Sequence, residues 1–382
     1  MFKSDTENGE STWPQGFLEL TTLGIRQAHE LGVFLRGRYK ALLGGDDRYS
    51  TFQVRVLSTD RNRTIMSAQA ALAGLFPPRG QQKWSETIDW QPIPVHSTPL
   101  TVLPHCSLAT QRAYEALNSE KVQKANRDNA EFFRFLSEKT GENVTDVLSS
   151  RDYVAEPLTS IRAHPKTHKM PVWATEEVFR KADQLRDLMY GAIHESRDTT
   201  RLWGNPMFLD VRQRIFEIAN ATADPRLKLR IHSAHDASIA MFFAIVGLPT
   251  TPYPGFASAA MLEVYNSTKG ELTLKLFFRK GPGAEAVELH MPHCASPCTA
   301  QKFLDSTAFL LTDDWERDCA LKEEEKEKEW WEDPELVLIV GIVAAVLVIL
   351  FVSLLASCVT WHCAKSKFRN KNRKSLNANY LN

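Results

Sequence analysis

The stretch Leu227-Lys-Leu-Arg-Ile-His-Ser-Ala-His235-Asp236-Ala-Ser-Ile-Ala-Met-Phe-Phe243 decides the fold class. Its first half alternates apolar and polar residues, as a strand with one buried face does, and from Ala237 to Val246 it becomes an apolar helical run. The change of period falls on His235-Asp236. A strand leading into a helix is the α/β unit, and the carboxyl end of such a strand is where ligands and catalytic groups collect. His235 offers a cation or a hydrogen-bond donor and Asp236 a proton, a pair suited to an anionic substrate. Taken alone, the same two residues also read as a helix cap made through the Asp.

A second junction of the same kind lies earlier. Phe52-Gln-Val-Arg-Val-Leu57 reads as a strand, and Ser58-Thr59-Asp60 turns into a helix from Arg61 to Phe76, stopped by Pro77-Pro78. Arg61 and Arg63 fall in its first turn. A guanidinium beside free backbone N–H groups makes a phosphate cradle, although Arg63 as a solvated surface charge fits the same letters. Upstream, residues 22–39 form an amphipathic pattern with a stripe through Ile25, Leu31, Phe34 and Leu35, in which His29 reads as a surface or packing residue.

From about Cys106 to Ala223 the pattern is helical, with apolar spacing over 110–126, 129–139, 175–195 and 207–220. His164 and His168 stand four apart, but Pro165 breaks the helix that would align them as metal ligands. Beyond the His-Asp junction, 259–265 and 271–278 alternate like two antiparallel strands, with another over 287–291. The expected architecture is α/β, a mixed sheet flanked by helices, with a mainly helical insertion over about 106–223.

The chain has 382 residues, 43% hydrophobic, and a formal net charge of +0, which gives it enough apolar material for a large core and no attraction to nucleic acid. Residues 336–359 carry no charge and are apolar except for Ser353, Ser357 and Cys358, long enough to span a hydrocarbon core of about 30 Å. Trp330, Trp331 and Trp361 flank this run, and Lys365, Lys367, Arg369, Lys371, Arg373 and Lys374 follow it. Such a pattern predicts one transmembrane helix with a basic cytoplasmic tail over 360–382, a charged stalk over 321–335, and residues 1–320 on the lumenal or extracellular side. Asn143, Asn220 and Asn266 head glycosylation triplets, as does Asn62. Four cysteines precede the span, Cys106, Cys294, Cys298 and Cys319, and in an oxidising compartment they are expected to pair, in one of three ways. A zinc site on Cys294, Cys298 and His293 lacks a second pair of ligands at the usual spacing, so no metal is expected.

Several motifs then occur in one order: Trp13-Pro-Gln-Gly-Phe17, Leu57-Ser-Thr-Asp-Arg-Asn-Arg63-Thr-Ile-Met-Ser-Ala68, Gly74-Leu-Phe-Pro-Pro78, Trp90-Gln-Pro-Ile-Pro-Val-His96, His232-Ser-Ala-His235-Asp236 and Pro292-His-Cys-Ala-Ser-Pro-Cys298. Together they resemble the histidine acid phosphatases, in particular the prostatic and lysosomal branch, with its phosphoglycerate mutase-like fold. That resemblance implies hydrolysis of a small phosphomonoester or a phosphoprotein through a covalent phosphohistidine, without a cofactor. It implies that Arg63 and His235 bind the phosphate, that Asp236 protonates the leaving alcohol and then assists water, and that Cys294 pairs with Cys298 and Cys106 with Cys319. A lysosomal or cell-surface type I membrane protein follows from the same likeness, with a homodimer left open.

The departures are specific. In that family the attacking histidine and a neighbouring arginine come from an Arg-His-Gly motif that ends the first strand, and no Arg-His-Gly occurs in this chain. The Trp-Pro-Gln-Gly-Phe motif that follows it already stands at residue 13, and Met1 to Gly9 is too polar for a secretory signal. One missing amino-terminal segment accounts for the absent signal, strand and nucleophile, and the loss of that strand is expected to leave neighbouring ladders unpaired. Leu57 stands where an arginine is common, which is expected to alter the pocket's charge modestly, and Asn62 stands where an aspartate is common. Three readings remain: an acid phosphatase whose complete form carries the nucleophile, with this chain inactive as given; a membrane-anchored pseudophosphatase that binds phosphorylated ligands or a partner protein; or a sugar-phosphate or other specialised phosphatase of the same superfamily.

Overall fold

The structure is a computed structural model that describes residues 1–45, 48–98, 106–267, 270–321, 334–344, 347 and 361. It divides into two compact units, Met1–Ala320 and Leu321–Asn382. Most of the stalk, of the tail and of the apolar run 336–359 lies outside the described residues; 334–344 are helical, and among the described residues no helix is long and apolar enough to cross a membrane.

In the first unit the order is α1 (Thr22–Tyr39), β1 (Val54–Thr59), α2 (Asn62–Leu75), β2 (His96–Thr98), then seven helices, α3 (Ser107–Leu117), α4 (Glu120–Asp128), α5 (Ala130–Thr140), α6 (Val147–Ser150), α7 (Glu156–Ala163), α8 (Glu176–Glu195) and α9 (Arg197–Ala219). β3 (Leu229–Ser233), α10 (Asp236–Val246), β4 (Ala259–Asn266), β5 (Leu272–Arg279), β6 (Ala286–Leu289), α11 (Ala300–Ser306) and α12 (Trp315–Cys319) complete it. The fold is α/β as expected, but the strands do not join into one mixed sheet. β2-β1-β3 form a parallel sheet and β4-β5-β6 an antiparallel one, so among the described residues β3 pairs only with β1 and β4 only with β5. Every residue of β3 is half-buried, where alternation predicted one buried and one exposed face. Its sides are covered by different partners, Leu229 and Ile231 by the core of α1, α2 and β1, and Arg230 and His232 by Asp210 of α9.

Three apolar clusters hold the unit together. In the first, α1 lies against α2 so closely that side chains are excluded. A Cβ on Gly32 would stand 1.9 Å from the Ala71 carbonyl oxygen, and one on Gly74 2.2 Å from that of His29. The buried face of α1 is therefore Ala28, Gly32 and Leu35, and Ile25 of the expected stripe is exposed. The second cluster packs the amino-terminal residues on the helical region, with Phe2 3% exposed and its ring 5.5 Å from Trp173. The third joins α3, α9 and α10 to β5 and α11.

Two helices depart from the expected bounds. The single helix over 110–126 is broken at Asn118-Ser119 into α3 and α4. α9 begins ten residues before Met207, at Arg197, and runs through Pro206. Proline lacks the N–H that would bond the carbonyl four residues back, and here that carbonyl, Leu202 O, accepts the Trp315 indole N–H at 3.1 Å instead. Disulfides join Cys106 to Cys319 and Cys294 to Cys298, the pairs the resemblance implied.

The contact between α1 and α2 makes a direct prediction. Gly32→Ala should destabilise the protein by about 1–3 kcal/mol through overpacking against backbone, whereas Gly37→Ala, with open space around it, should not. Urea unfolding of both variants checks this, and equal midpoints would contradict the packing.

Candidate active site

The two strand-to-helix junctions read from the sequence lie side by side because β1 and β3 are adjacent and parallel, with Ser58 opposite Ser233. Both strands therefore deliver their carboxyl ends, and the helices that follow them, to one place. Hydrogen bonds lock the junctions together. Ser233 Oγ donates to the Thr64 carbonyl at 2.7 Å, and His235 Nε2 lies 3.0 Å from Thr59 Oγ1. Thr59 Oγ1 in turn lies 2.8 Å from Thr64 Oγ1, and Ser58, Thr59 and Thr64 are all buried. The cap expected from the Asp falls one residue earlier: His235 is the N-cap of α10, its N–H donating to Ser238 Oγ, and Asp236 is the first helical residue.

Arg63, His235 and Asp236 line one cavity. Asp236 meets solvent inside that cavity while protein encloses it on its other sides, and this enclosure raises its pKa even though the Ala237 N–H donates to Oδ1 at 2.7 Å. Arg186, Arg63 and Arg151 pull the other way and do not prevail. His235 is pushed down to about 4, first by burial and then by the charges of Arg63 and Arg61. Above that value it is a neutral imidazole, a hydrogen-bonding group rather than the cation considered from the sequence. Glu156 is also pushed up, by burial and then by the neighbouring Asp236.

Arg151, Glu156, Arg186 and Tyr253 are lining residues that the sequence reading passed over. Arg151 begins a π-helical turn, Arg151–Ala155, a feature that often marks functional positions, and donates to Tyr190 Oη at 2.9 Å. Tyr190 stacks on Tyr253 with ring centroids 3.7 Å apart. Arg186 comes from α8, held by Asp183 at 2.7 Å and Asp187 at 3.4 Å. The Nε atoms of Arg151 and Arg186 are buried without a hydrogen-bond acceptor. No local motif surrounds these residues; only the fold brings them to the cavity.

The other sequence candidates do not join this group, although His164 lines the same large cavity. His164 and His168 do come together despite Pro165, with rings 5.5 Å apart around Trp13, but they bond Ser160 and the threonines Thr21, Thr12 and Thr167. Among the described residues no cluster of His, Cys, Asp and Glu could hold a metal. Leu57 is buried in β1 between His96 and His232. Asn143, Asn220 and Asn266 are exposed, although Thr268 of the last triplet lies outside the described residues. Asn62 is also exposed, but it donates to Glu19 and the threonine of its triplet, Thr64, is buried in the junction network.

The chain matches the histidine phosphatase superfamily, branch 2, over residues 2–279. It belongs to that family. It is 34% identical to the prostatic acid phosphatase of Bos taurus over 324 residues, 82% of each chain. It is 30% identical to the lysosomal acid phosphatase of Homo sapiens over 357 residues, covering 91% of this chain and 81% of that protein. Among solved structures, the Hafnia alvei phytase shares the fold, with a TM-score of 0.61 at 16% identity over 81% of this chain and 90% of that one. The family resemblance and the α/β fold read from the sequence both stand.

Burial of histidines gives this family member a distinct pH response. His194 is 7% exposed with neither ring nitrogen hydrogen-bonded, and burial alone pushes it down to about 4. A base whose pKa is depressed on folding takes up its proton first in the unfolded chain, so stability is complete above about pH 6.5 and is lost as pH falls towards the folded value. His235 adds to this loss and Asp236, raised on folding, opposes it. His194→Leu should therefore remove about 2 kcal/mol of the decline between pH about 7 and about 5, read from urea melts; parallel declines in the two proteins would contradict the assignment.

Proposed function

We propose that the complete protein is an acid phosphatase that hydrolyses phosphomonoesters through a phosphohistidine, and that this chain carries the phosphate-binding and proton-donating half of its site. The observation that carries the proposal is the placement of Asp236, with its raised pKa, in one cavity with His235, Arg63, Arg151 and Arg186. Guanidiniums offset the charge of the phosphoryl group as it transfers, and Arg63, Arg151 and Arg186 line the cavity where it would sit. Asp236, kept protonated in mild acid, gives its proton to the leaving alcohol as the P–O bond breaks and a P–N bond forms to the attacking imidazole. The carboxylate left behind then takes a proton from water as that water attacks phosphorus and the P–N bond breaks, which restores the acid and releases phosphate. Neutral His235 donates a hydrogen bond to a phosphate oxygen and gains a proton as the anion's charge approaches.

The attacking imidazole is assigned to an Arg-His-Gly segment, which the 382 residues do not contain. That absence supports a second reading, a pseudophosphatase that holds phosphorylated ligands or a partner protein without turning them over. In either case the relatives' names and the apolar run 336–359 support a lumenal or extracellular unit anchored as a single-pass type I protein in a lysosomal or cell-surface membrane.

Activity on an aryl phosphate separates the readings. The chain as given should release no phosphate. A form extended ahead of Met1 by a strand ending in Arg-His-Gly should be active in mild acid, and Asp236→Asn in that form should lower kcat by about 10²–10⁴-fold while phosphate still binds. An inert extended form that still binds phosphate favours the pseudophosphatase, and unchanged turnover in the Asp236→Asn variant removes Asp236 as the acid.

A further inference from the structure

A second cavity, of about 460 Å³, lies between the carboxyl halves of α8 and α10, the turn that follows α10 and the start of α4. Its volume falls within the roughly 300–1,000 Å³ of small-molecule sites. No described residue lines both this cavity and the one that holds Asp236. α8 stands between them, with Arg186 on the wall of the first and Asp187, Gly191 and His194 on the wall of the second.

His194 gives the second cavity its one buried polar side chain. It is buried, and neither ring nitrogen has a hydrogen-bond partner among the described residues. Leaving a buried imidazole unpaired costs stability, so an unpaired ring at a cavity wall calls for a bound molecule or water. Because burial keeps the ring neutral down to about pH 4, it offers one N–H donor and one acceptor nitrogen. A hydroxyl or a carboxamide both donates and accepts, and so meets either tautomer.

The remaining walls set charge and shape. Lys121 is paired with Glu195 at 2.5 Å and Asp187 with Arg186 at 3.4 Å, so the charged residues of the wall are already compensated. A charged occupant would lose hydration there without gaining a free counter-ion. Leu188, Ala244, Leu248 and Pro249 supply apolar surface. At Gly191 the helix presents bare backbone, where an added Cβ would meet only Thr251 Cγ2, at an ordinary 3.7 Å. Behind the wall stand residues of the first cavity. The Tyr190 ring lies parallel within 13° to that of His194, at 6.5 Å, and within 6° to that of Tyr253, at 3.7 Å, and Asp187 accepts the Tyr253 N–H at 3.4 Å.

We propose that this second cavity is a binding site, separate from the candidate active site, for a small uncharged molecule with an apolar body and one hydroxyl or carboxamide group that bonds His194. It does not rest on the phosphatase reading, since Arg63, Arg151, Arg186, His235 and Asp236 line the other cavity.

The test uses the full chain in detergent micelles, labelled with ¹⁵N only at its 18 glycines, so that the amides of Gly191 and Gly247 report the second cavity and those of Gly24 and Gly255 the first. The probe is benzamide, with its free concentration fixed by dialysis, and the control is benzoate, which has the same shape and a negative charge. Benzamide should shift Gly191 and Gly247 saturably and leave Gly24 and Gly255 in place, and benzoate should bind more weakly by about tenfold or more. His194→Leu should weaken benzamide by about 3–10-fold, read at Gly247. Gly191→Met, which fills the cavity from α8, should abolish the Gly247 shift; urea midpoints establish that both variants fold, and His194→Leu carries the test if Gly191→Met does not. No saturable shift up to the solubility limit means a cavity that holds only water and overturns the proposal. So do shifts confined to Gly24 and Gly255, equal affinity for benzoate, or unchanged affinity in His194→Leu. Phosphatase activity plays no part in the readout, so the failure of this site and of the proposed chemistry are distinguishable.

Discussion

The bond between Thr59 Oγ1 and His235 Nε2, with that from Ser233 Oγ to the Thr64 carbonyl, is the tie on which the site depends. It joins two strand-to-helix junctions that lie 176 residues apart in sequence. Parallel pairing of β1 with β3 brings the strand ends together, but ladder bonds stop at Ser58 and Ser233, and only side chains continue the join into the first turns of α2 and α10. Thr59 and Thr64 are buried, so the loss of either hydroxyl would leave a polar partner unsatisfied as well as freeing the imidazole. The arrangement holds His235 beside the first turn of α2, where Arg63 stands.

Competition between burial and charge then sets the protonation of the site. For His235 both act in one direction, since burial and the arginines each disfavour the imidazolium. For Asp236 they oppose each other, and burial exceeds the pull of Arg186, Arg63 and Arg151. The site therefore holds a neutral imidazole and a carboxyl that keeps its proton further up the pH scale, beside guanidiniums that already have acidic neighbours of their own, Asp152 for Arg151 and Asp183 with Asp187 for Arg186. An entering dianion would reverse the balance at the imidazole, because its charge offsets that of Arg63.

Local patterns made much of this legible in the sequence. The switch from alternation to helical spacing at His235-Asp236 and the Ser-Thr-Asp turn before Arg63 marked both junctions, and motif order identified the family. Arg151 and Arg186 could not be read because their role comes from the packing of α7 and α8 and the π-helical turn, not from neighbours in sequence. The path of α9 through Pro206 depended on a tryptophan about a hundred residues later, a compensation no window of sequence displays. The separation of the strands into two sheets was foreshadowed by the expected unpaired ladders.

The most direct measurement of the central claim is calorimetric titration of the full chain with sulfate, a tetrahedral anion that exchanges no proton at pH about 5.5, in two buffers of different ionisation enthalpy. With His235 held at about 4 by burial and the arginines, anion binding should draw in protons, so the observed heats should differ between buffers in the sense of uptake, and His235→Ala should reduce that difference. Failure of sulfate to bind, or binding with the same heat in both buffers, would contradict the account of Arg63, His235 and Asp236 as an anion site with a neutral imidazole at its centre.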